Sequence, residues 1–139
     1  MGIKLVTIDV DGTLLNSERL ITQEVKSTIR QAKAQGVKIV VTTGRPYLGV
    51  IELLKELSLT DPGDYVITYN GGMILAADTG VELKRTTLTY QDYLRVDDLA
   101  TILRCTSHAV TADRLFTSNR DVSKYTVEES FIAKVPMSF

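Results

Sequence analysis

The chain has 139 residues, close to the span of one domain, and 44% of them are hydrophobic, a globular rather than a disordered composition. Sixteen basic and seventeen acidic side chains leave a formal charge of −1. That balance excludes a nucleic-acid binder working by bulk charge, yet it leaves room for a local phosphate site.

The first element expected is a strand over 3–10, where Ile3, Leu5, Val6, Ile8 and Val10 are apolar on both faces. A short run of this kind suits a fully buried parallel strand, and Gly12 breaks it. Thr22 is placed to cap a helix that ends near Gln35, with Gly36 at the position a C-terminal glycine takes. Val37 to Thr42 is a second β-branched run. Pro46 suits a first helical turn. Val50, Leu53, Leu54 and Leu57 then fall on one helical face. Asp61-Pro62-Gly63-Asp64 is a loop. Tyr65 to Tyr69 is a third strand, Asn70-Gly71 a strong hairpin signal, and Met73 to Ala77 the returning partner.

Strand, helix, strand, helix, strand is the order of a doubly wound parallel α/β sheet. The texture changes after about Leu83. Thr89 and Asp92 read as a capping box, followed by a stripe at Val96, Leu99, Ala100 and Leu103. Strands are expected near Ala109 and over Leu115 to Thr117, then a helix from about Ser123 to Lys134 that stops before Pro136. The expected division is 1–82 as one part and 83–139 as the start of an α+β module. The single cysteine, Cys105, cannot form an intrachain disulfide, and no apolar run approaches membrane-spanning length. The N-terminus lacks a signal-peptide shape. A soluble cytoplasmic protein without membrane or nucleic-acid partners is expected.

Ile8-Asp9-Val10-Asp11-Gly12-Thr13-Leu14 is the most informative stretch. Two carboxylates two residues apart on an extended segment point to the same side. They stand at the carboxyl end of a strand, where open α/β sheets place ligands. At ~4 Å and an effective dielectric of about 20 their repulsion is roughly 4 kcal/mol, so such a pair shares a proton or holds a cation. Gly12 allows a sharp turn that brings amides toward an anion. The stretch therefore suits Mg²⁺ and a phosphoryl group. The plainer alternative is that both acids merely end a strand and begin a turn. It loses weight because a core strand seldom ends in two clustered acids.

Val41-Thr42-Thr43-Gly44-Arg45-Pro46 places a hydroxyl, free amides and a fixed positive charge between a strand and a helix N-terminus, a common anion-binding arrangement. Ordinary capping by Thr43 is the plainer alternative here.

Asp9-Val10-Asp11-Gly12-Thr13-Leu14 and Thr43-Gly44-Arg45 together resemble the haloacid dehalogenase (HAD) superfamily, in particular its Cof-type phosphatases with a large cap domain. The segments Pro62-Gly63-Asp64-Tyr65, Thr68-Tyr69-Asn70-Gly71, Asn119-Arg120-Asp121 and Tyr125-Thr126-Val127-Glu128-Glu129-Ser130-Phe131 extend the resemblance along the chain. It implies a phosphatase acting on sugar phosphates or similar small esters. Asp9 would be the nucleophile and Asp11 the general acid and base. Asp9 and Asp11 would hold Mg²⁺. Gly12, Thr43 and Gly44 would hold phosphate oxygens, with Arg45 and Asn70 on the substrate side. Residues 1–82 would be the N-terminal part of the catalytic core, and 83–139 the beginning of the cap.

Two further motifs of the family, a charge-balancing lysine and a Gly-Asp-x-x-Asn-Asp stretch, are not identifiable. The last aspartate is Asp121 and no Asn-Asp pair occurs. Family members are about twice as long, so the sequence reads as an incomplete HAD-like core that stops inside the cap. The strand bearing Asp9 would then have an unpaired edge, a route to homo-oligomers. Weak metal binding and low turnover are expected.

Two other functions are weighed. One is a non-catalytic remnant that binds phosphate or metal, or serves as an oligomerising scaffold. The other is a phospho-accepting receiver, disfavoured because Tyr69-Asn70 stands where that class expects an aspartate. His108 reads as a surface residue, Cys105 as packing, and Asp97-Asp98 as a solvated helix face. Asn70-Gly71 is equally well a simple hairpin turn.

Overall fold

The computed structural model describes residues 2–139. They form two compact units. One holds the residues up to Gly44 together with Val50–Thr86, and the other holds Arg45–Gly49 and Thr87–Phe139.

The first unit is built on a five-stranded sheet, β1 (Leu5–Asp9), β2 (Lys38–Thr42), β3 (Tyr65–Thr68), β4 (Met73–Ala76) and β5 (Glu82–Arg85), in that spatial order. The first three strands are parallel, and β4 and β5 return antiparallel. This is the parallel-rich α/β sheet the sequence led us to expect. Helix α1 (Gln23–Ala34) joins β1 to β2, and α2 (Tyr47–Glu56) joins β2 to β3. Thr22 caps α1 by accepting from the Val25 N–H, and Gly36 takes φ +81° just beyond its end. Val50 and Leu54 are buried, Leu53 is half-buried, and Leu57, just past the helix end, is buried too, so the spacing read from the sequence does mark the core-facing stripe of α2.

The sequence misread β1. It is not a fully buried strand: Leu5 is 55% exposed, Thr7 and Asp9 are exposed, and Val6 and Ile8 are half-buried. The cause is position. β1 pairs with β2 alone among the described strands, so one flank of its backbone is an open edge. The strand is apolar because of its composition, whereas burial depends on what lies beside it. The buried strand of the sheet is instead β2, where Ile39, Val40 and Val41 are all buried, beside Val66 of β3. β5, for which the sequence had no expectation, pairs with β4 and carries the sheet through Arg85.

Lys33 ties α1 to the connection that enters β3. Its ammonium donates to the Ser58 carbonyl, Asp61 Oδ2 and Asp64 Oδ2, each at 2.7 Å. Asp64 is buried and also accepts the Asp61 N–H at 3.0 Å. Burial by itself lowers the Lys33 pKa, but the bonds to Asp61 and Asp64 and their charges outweigh it, and the net direction is up.

The second unit contains α3 (Tyr90–Ile102), β6 (Ala109–Val110), β7 (Leu115–Phe116), α4 (Lys124–Ala133) and β8 (Met137–Ser138). The capping box at Thr89 and Asp92 is present. Bonds from the Thr89 side chain, then its backbone, hold the Asp92 carboxyl below its ordinary pKa. β7 and β8 are parallel across α4, around a small core of Leu115, Ala133 and Val135. The two-residue strand β8 had no sequence signal.

Helix α3 keeps only part of the expected stripe, with Ala100 half-buried. Val96, Leu99 and Leu103 are exposed, while Asp97 is half-buried. Asp97 Oδ1 accepts from Ser107 Oγ at 2.6 Å and from Ser118 Oγ at 2.9 Å. Asp97 is therefore not a solvated residue, although Asp98 is exposed. These hydrogen bonds, together with half-buried Ala100, set the side of α3 that faces its own unit. Cys105 is exposed rather than packed, and His108 is exposed as expected. No helix among the described residues is long and apolar enough to cross a membrane.

Candidate active site

The register of the parallel strands builds the site. Asp9 is the partner of Thr42, and Thr42 is the partner of Ile67. Partners across a sheet project from the same face, so these three side chains form one row at the carboxyl ends of β1, β2 and β3. Thr43 follows at the end of β2, and its N–H donates to the Ile67 carbonyl at 2.9 Å. The Asn70 N–H in turn donates to the Thr43 carbonyl at 3.0 Å. A cleft of about 360 Å³ lies here, lined by Asp9, Thr42, Thr43, Ile67, Asn70 and Gly71.

Three residues singled out from sequence, Asp9, Thr43 and Asn70, thus share one cleft. Asp11 and Gly12 sit on the turn that follows β1, where Gly12 takes φ +77° and the Leu15 N–H closes the turn onto the Val10 carbonyl at 3.0 Å. Val10 and Leu14 anchor that turn in the core, and Asp11 and Gly12 are exposed. Gly44 borders Asn70: a β-carbon at position 44 would stand 3.1 Å from Asn70 Oδ1. Asp11, Gly12, Gly44 and Arg45 are not among the residues lining the cleft. Arg45 belongs to the second unit, where its Nη1 donates to the Gly49 carbonyl at 3.4 Å.

Sequence reasoning missed Thr42, Ile67 and Gly71 as lining residues. Thr42 and Ile67 read only as strand residues. The periodicity of each strand was visible, but not the register that sets them beside Asp9. Thr68, at the end of β3, is fully buried, and its hydroxyl has no hydrogen-bond partner among the described residues.

The donors around Asp9 and Asp11 are hard oxygens, which suit Mg²⁺ in kind. In number they are few. Among the described residues no group of three or more His, Cys, Asp or Glu is placed to hold a metal ion.

The family model for haloacid dehalogenase-like hydrolases matches residues 6–137. A Streptococcus pyogenes protein named as a phosphatase is 46% identical over 139 residues, covering all of this chain and 52% of that protein. A haloacid dehalogenase-like hydrolase from Bacteroides thetaiotaomicron superposes with a TM-score of 0.80 at 26% identity, covering 99% of this chain and 51% of that one. The fold is also that of the subclass IIB sugar phosphatase BT4131, with a TM-score of 0.74 at 22% identity over 97% of this chain and 52% of that one. The chain spans about half the length of the curated relatives it matches. With its acidic strand tip, its parallel-rich sheet and a match over nearly its full length, the chain belongs to the haloacid dehalogenase-like hydrolase family.

Proposed function

We propose that the cleft is the phosphate-ester site of a phosphatase acting on sugar phosphates or similar small esters, with Asp9 as its nucleophile. The observation that carries this reading is the row Asp9–Thr42–Ile67 at the strand ends, with Thr43 and Asn70 in the same cleft. The family match and the phosphatase name of a close relative support it, and the sugar-phosphatase title of a structural neighbour suggests the substrate class.

In this reading an Asp9 oxygen bonds to phosphorus as the ester P–O bond breaks, giving an aspartyl phosphate and an alkoxide. Asp11 gives its proton to the alkoxide. It then takes a proton from water, whose oxygen bonds to phosphorus, and inorganic phosphate leaves as Asp9 is restored. Thr43, Gly44 and Gly12 hold phosphate oxygens, and Asn70 serves the ester side. Mg²⁺, held by the Asp9 carboxylate and by Asp11, would screen the repulsion between carboxylate and phosphate. So few protein ligands make its binding weak and turnover by this chain low. The residues up to 82 form the N-terminal part of the catalytic core, and 83–139 the start of a substrate-selecting cap. A single exposed cysteine suits a reducing, cytoplasmic setting.

A titration with beryllofluoride, a mimic of the phosphoryl group on aspartate, tests this without needing turnover. With Mg²⁺ present, the amides of residues 9–12 and 43–44 are expected to shift, and Asp9→Asn to abolish the response. An unresponsive parent chain overturns the proposal.

The second reading, an oligomerising scaffold, is favoured by one observation: β1 presents an open backbone edge beside exposed Leu5 and Ile3. Through this edge a second copy of the chain would pair.

A further inference from the structure

Two turns of the first unit interlock in a way that the phosphatase chemistry does not by itself require. Tyr69, Asn70 and Gly71 have φ of 52°, 53° and 95°. Three successive residues are therefore left-handed, two of them carrying a β-carbon, a conformation that persists only when its surroundings enforce it.

The enforcing contacts are specific. The Asn70 N–H donates to the Thr43 carbonyl at 3.0 Å, and the Gly72 N–H donates to the Tyr69 carbonyl at 3.0 Å. The Thr86 N–H donates to the Gly72 carbonyl at 2.7 Å. A β-carbon on Gly72 would stand 3.1 Å from the Tyr69 carbonyl oxygen and 3.3 Å from that of Thr86, so only glycine fits without a shift. At the other end, a β-carbon on Gly44 would meet Asn70 Oδ1 at 3.1 Å and Nδ2 at 3.4 Å. The Asn70 carboxamide thus rests on the bare backbone of Gly44.

We propose that the Tyr69–Gly71 turn is a clamp on the Thr43–Gly44 turn, and that Asn70 is a positioning residue whose carboxamide fixes the Gly44 amide for an incoming anion. The anion part of this proposal rests on the phosphate reading of the cleft. The strained backbone carries Asn70, Asn70 confines Gly44, and Gly44 lies in the segment that would receive phosphate oxygens. The absence of a side chain at 44 is what lets the two turns close on each other.

The experiment uses the full chain with uniform ¹⁵N labelling, inorganic phosphate as probe and Mg²⁺ in the buffer. Asn70→Gly keeps the left-handed backbone and its N–H while deleting the carboxamide. Gly44→Ala drives a methyl group into that carboxamide. Each is expected to move the amide resonances of residues 43 and 44 without ligand, and to weaken phosphate binding several-fold. The double substitution is expected to lose less than the product of the two, because the clash disappears with the carboxamide. Asn70→Asp, of the same shape, is expected to leave those amides in place. Resonances of 43 and 44 that stay put in Asn70→Gly overturn the clamp, as do losses that multiply. If the resonances move but the parent binds no phosphate, the clamp stands and the anion site falls.

Discussion

Asp9 and Thr42 are register partners on adjacent parallel strands, and this pairing sets a carboxylate beside the segment that opens the Thr43–Gly44 turn. The relationship is fixed by backbone hydrogen bonds over the length of β1 and β2. Slipping the register by one residue would send Asp9 to the opposite face. The same pairing leaves the other flank of β1 open, so the candidate site and the exposed edge are two consequences of one strand's position.

Asp9→Asn and Asp11→Asn are expected to separate the two acids. Asp9→Asn abolishes whatever slow Mg²⁺-dependent phosphate release the chain shows. Asp11→Asn depresses release by about 10²-fold or more while still permitting phosphoryl capture. Release of inorganic phosphate from a panel of sugar phosphates, read beside acid-stable phosphate incorporation, checks both. Rapid turnover by the parent chain would contradict the expected weak metal site.

The open edge predicts self-association. Light scattering on the parent chain is expected to report more than one copy per particle. Leu5→Lys, on the exposed edge strand, is expected to shift the population toward monomer, since a charged edge resists strand pairing. A parent that is monodisperse as a monomer removes the scaffold reading.

Lys33→Met is expected to destabilise the fold by on the order of 2 kcal/mol, less than for a fully buried pair. The Asp64 side chain is 5% exposed and loses its cation, whereas Lys33, at 28%, is partly screened by water. The Lys33 pKa is raised above 10.5 in the folded chain, so its contribution is complete below that value and is lost as pH rises through the folded pKa. Urea denaturation near neutrality and above pH 10.5 is expected to show an alkaline loss in the parent that is reduced in the variant.

Thr68→Val is expected to stabilise the chain by about 1 kcal/mol, since it replaces a buried hydroxyl without a partner among the described residues by a methyl of the same shape. Thermal unfolding of the two proteins reads the difference. A lower melting temperature for the variant would show that the hydroxyl is satisfied in solution.

The sequence by itself determined the local features. Thr22 and Gly36 bound α1 because a side-chain cap and a left-handed glycine act within a few residues. The Asp9-x-Asp11-Gly12 and Thr43-Gly44 segments were legible because strand ends followed by turn residues announce themselves in composition. Tertiary structure decided whatever depends on distant neighbours. β1 is apolar yet exposed because no described strand flanks it on one side. β8 has two residues, too few for a periodic pattern, and exists through its pairing with β7. α3 turns Asp97 inward because Ser107 and Ser118, from another part of the chain, supply donors that a carboxylate accepts. Short-range chemistry writes helices and turns into adjacent residues, whereas register, edges and polar partners come into being only when separate segments meet.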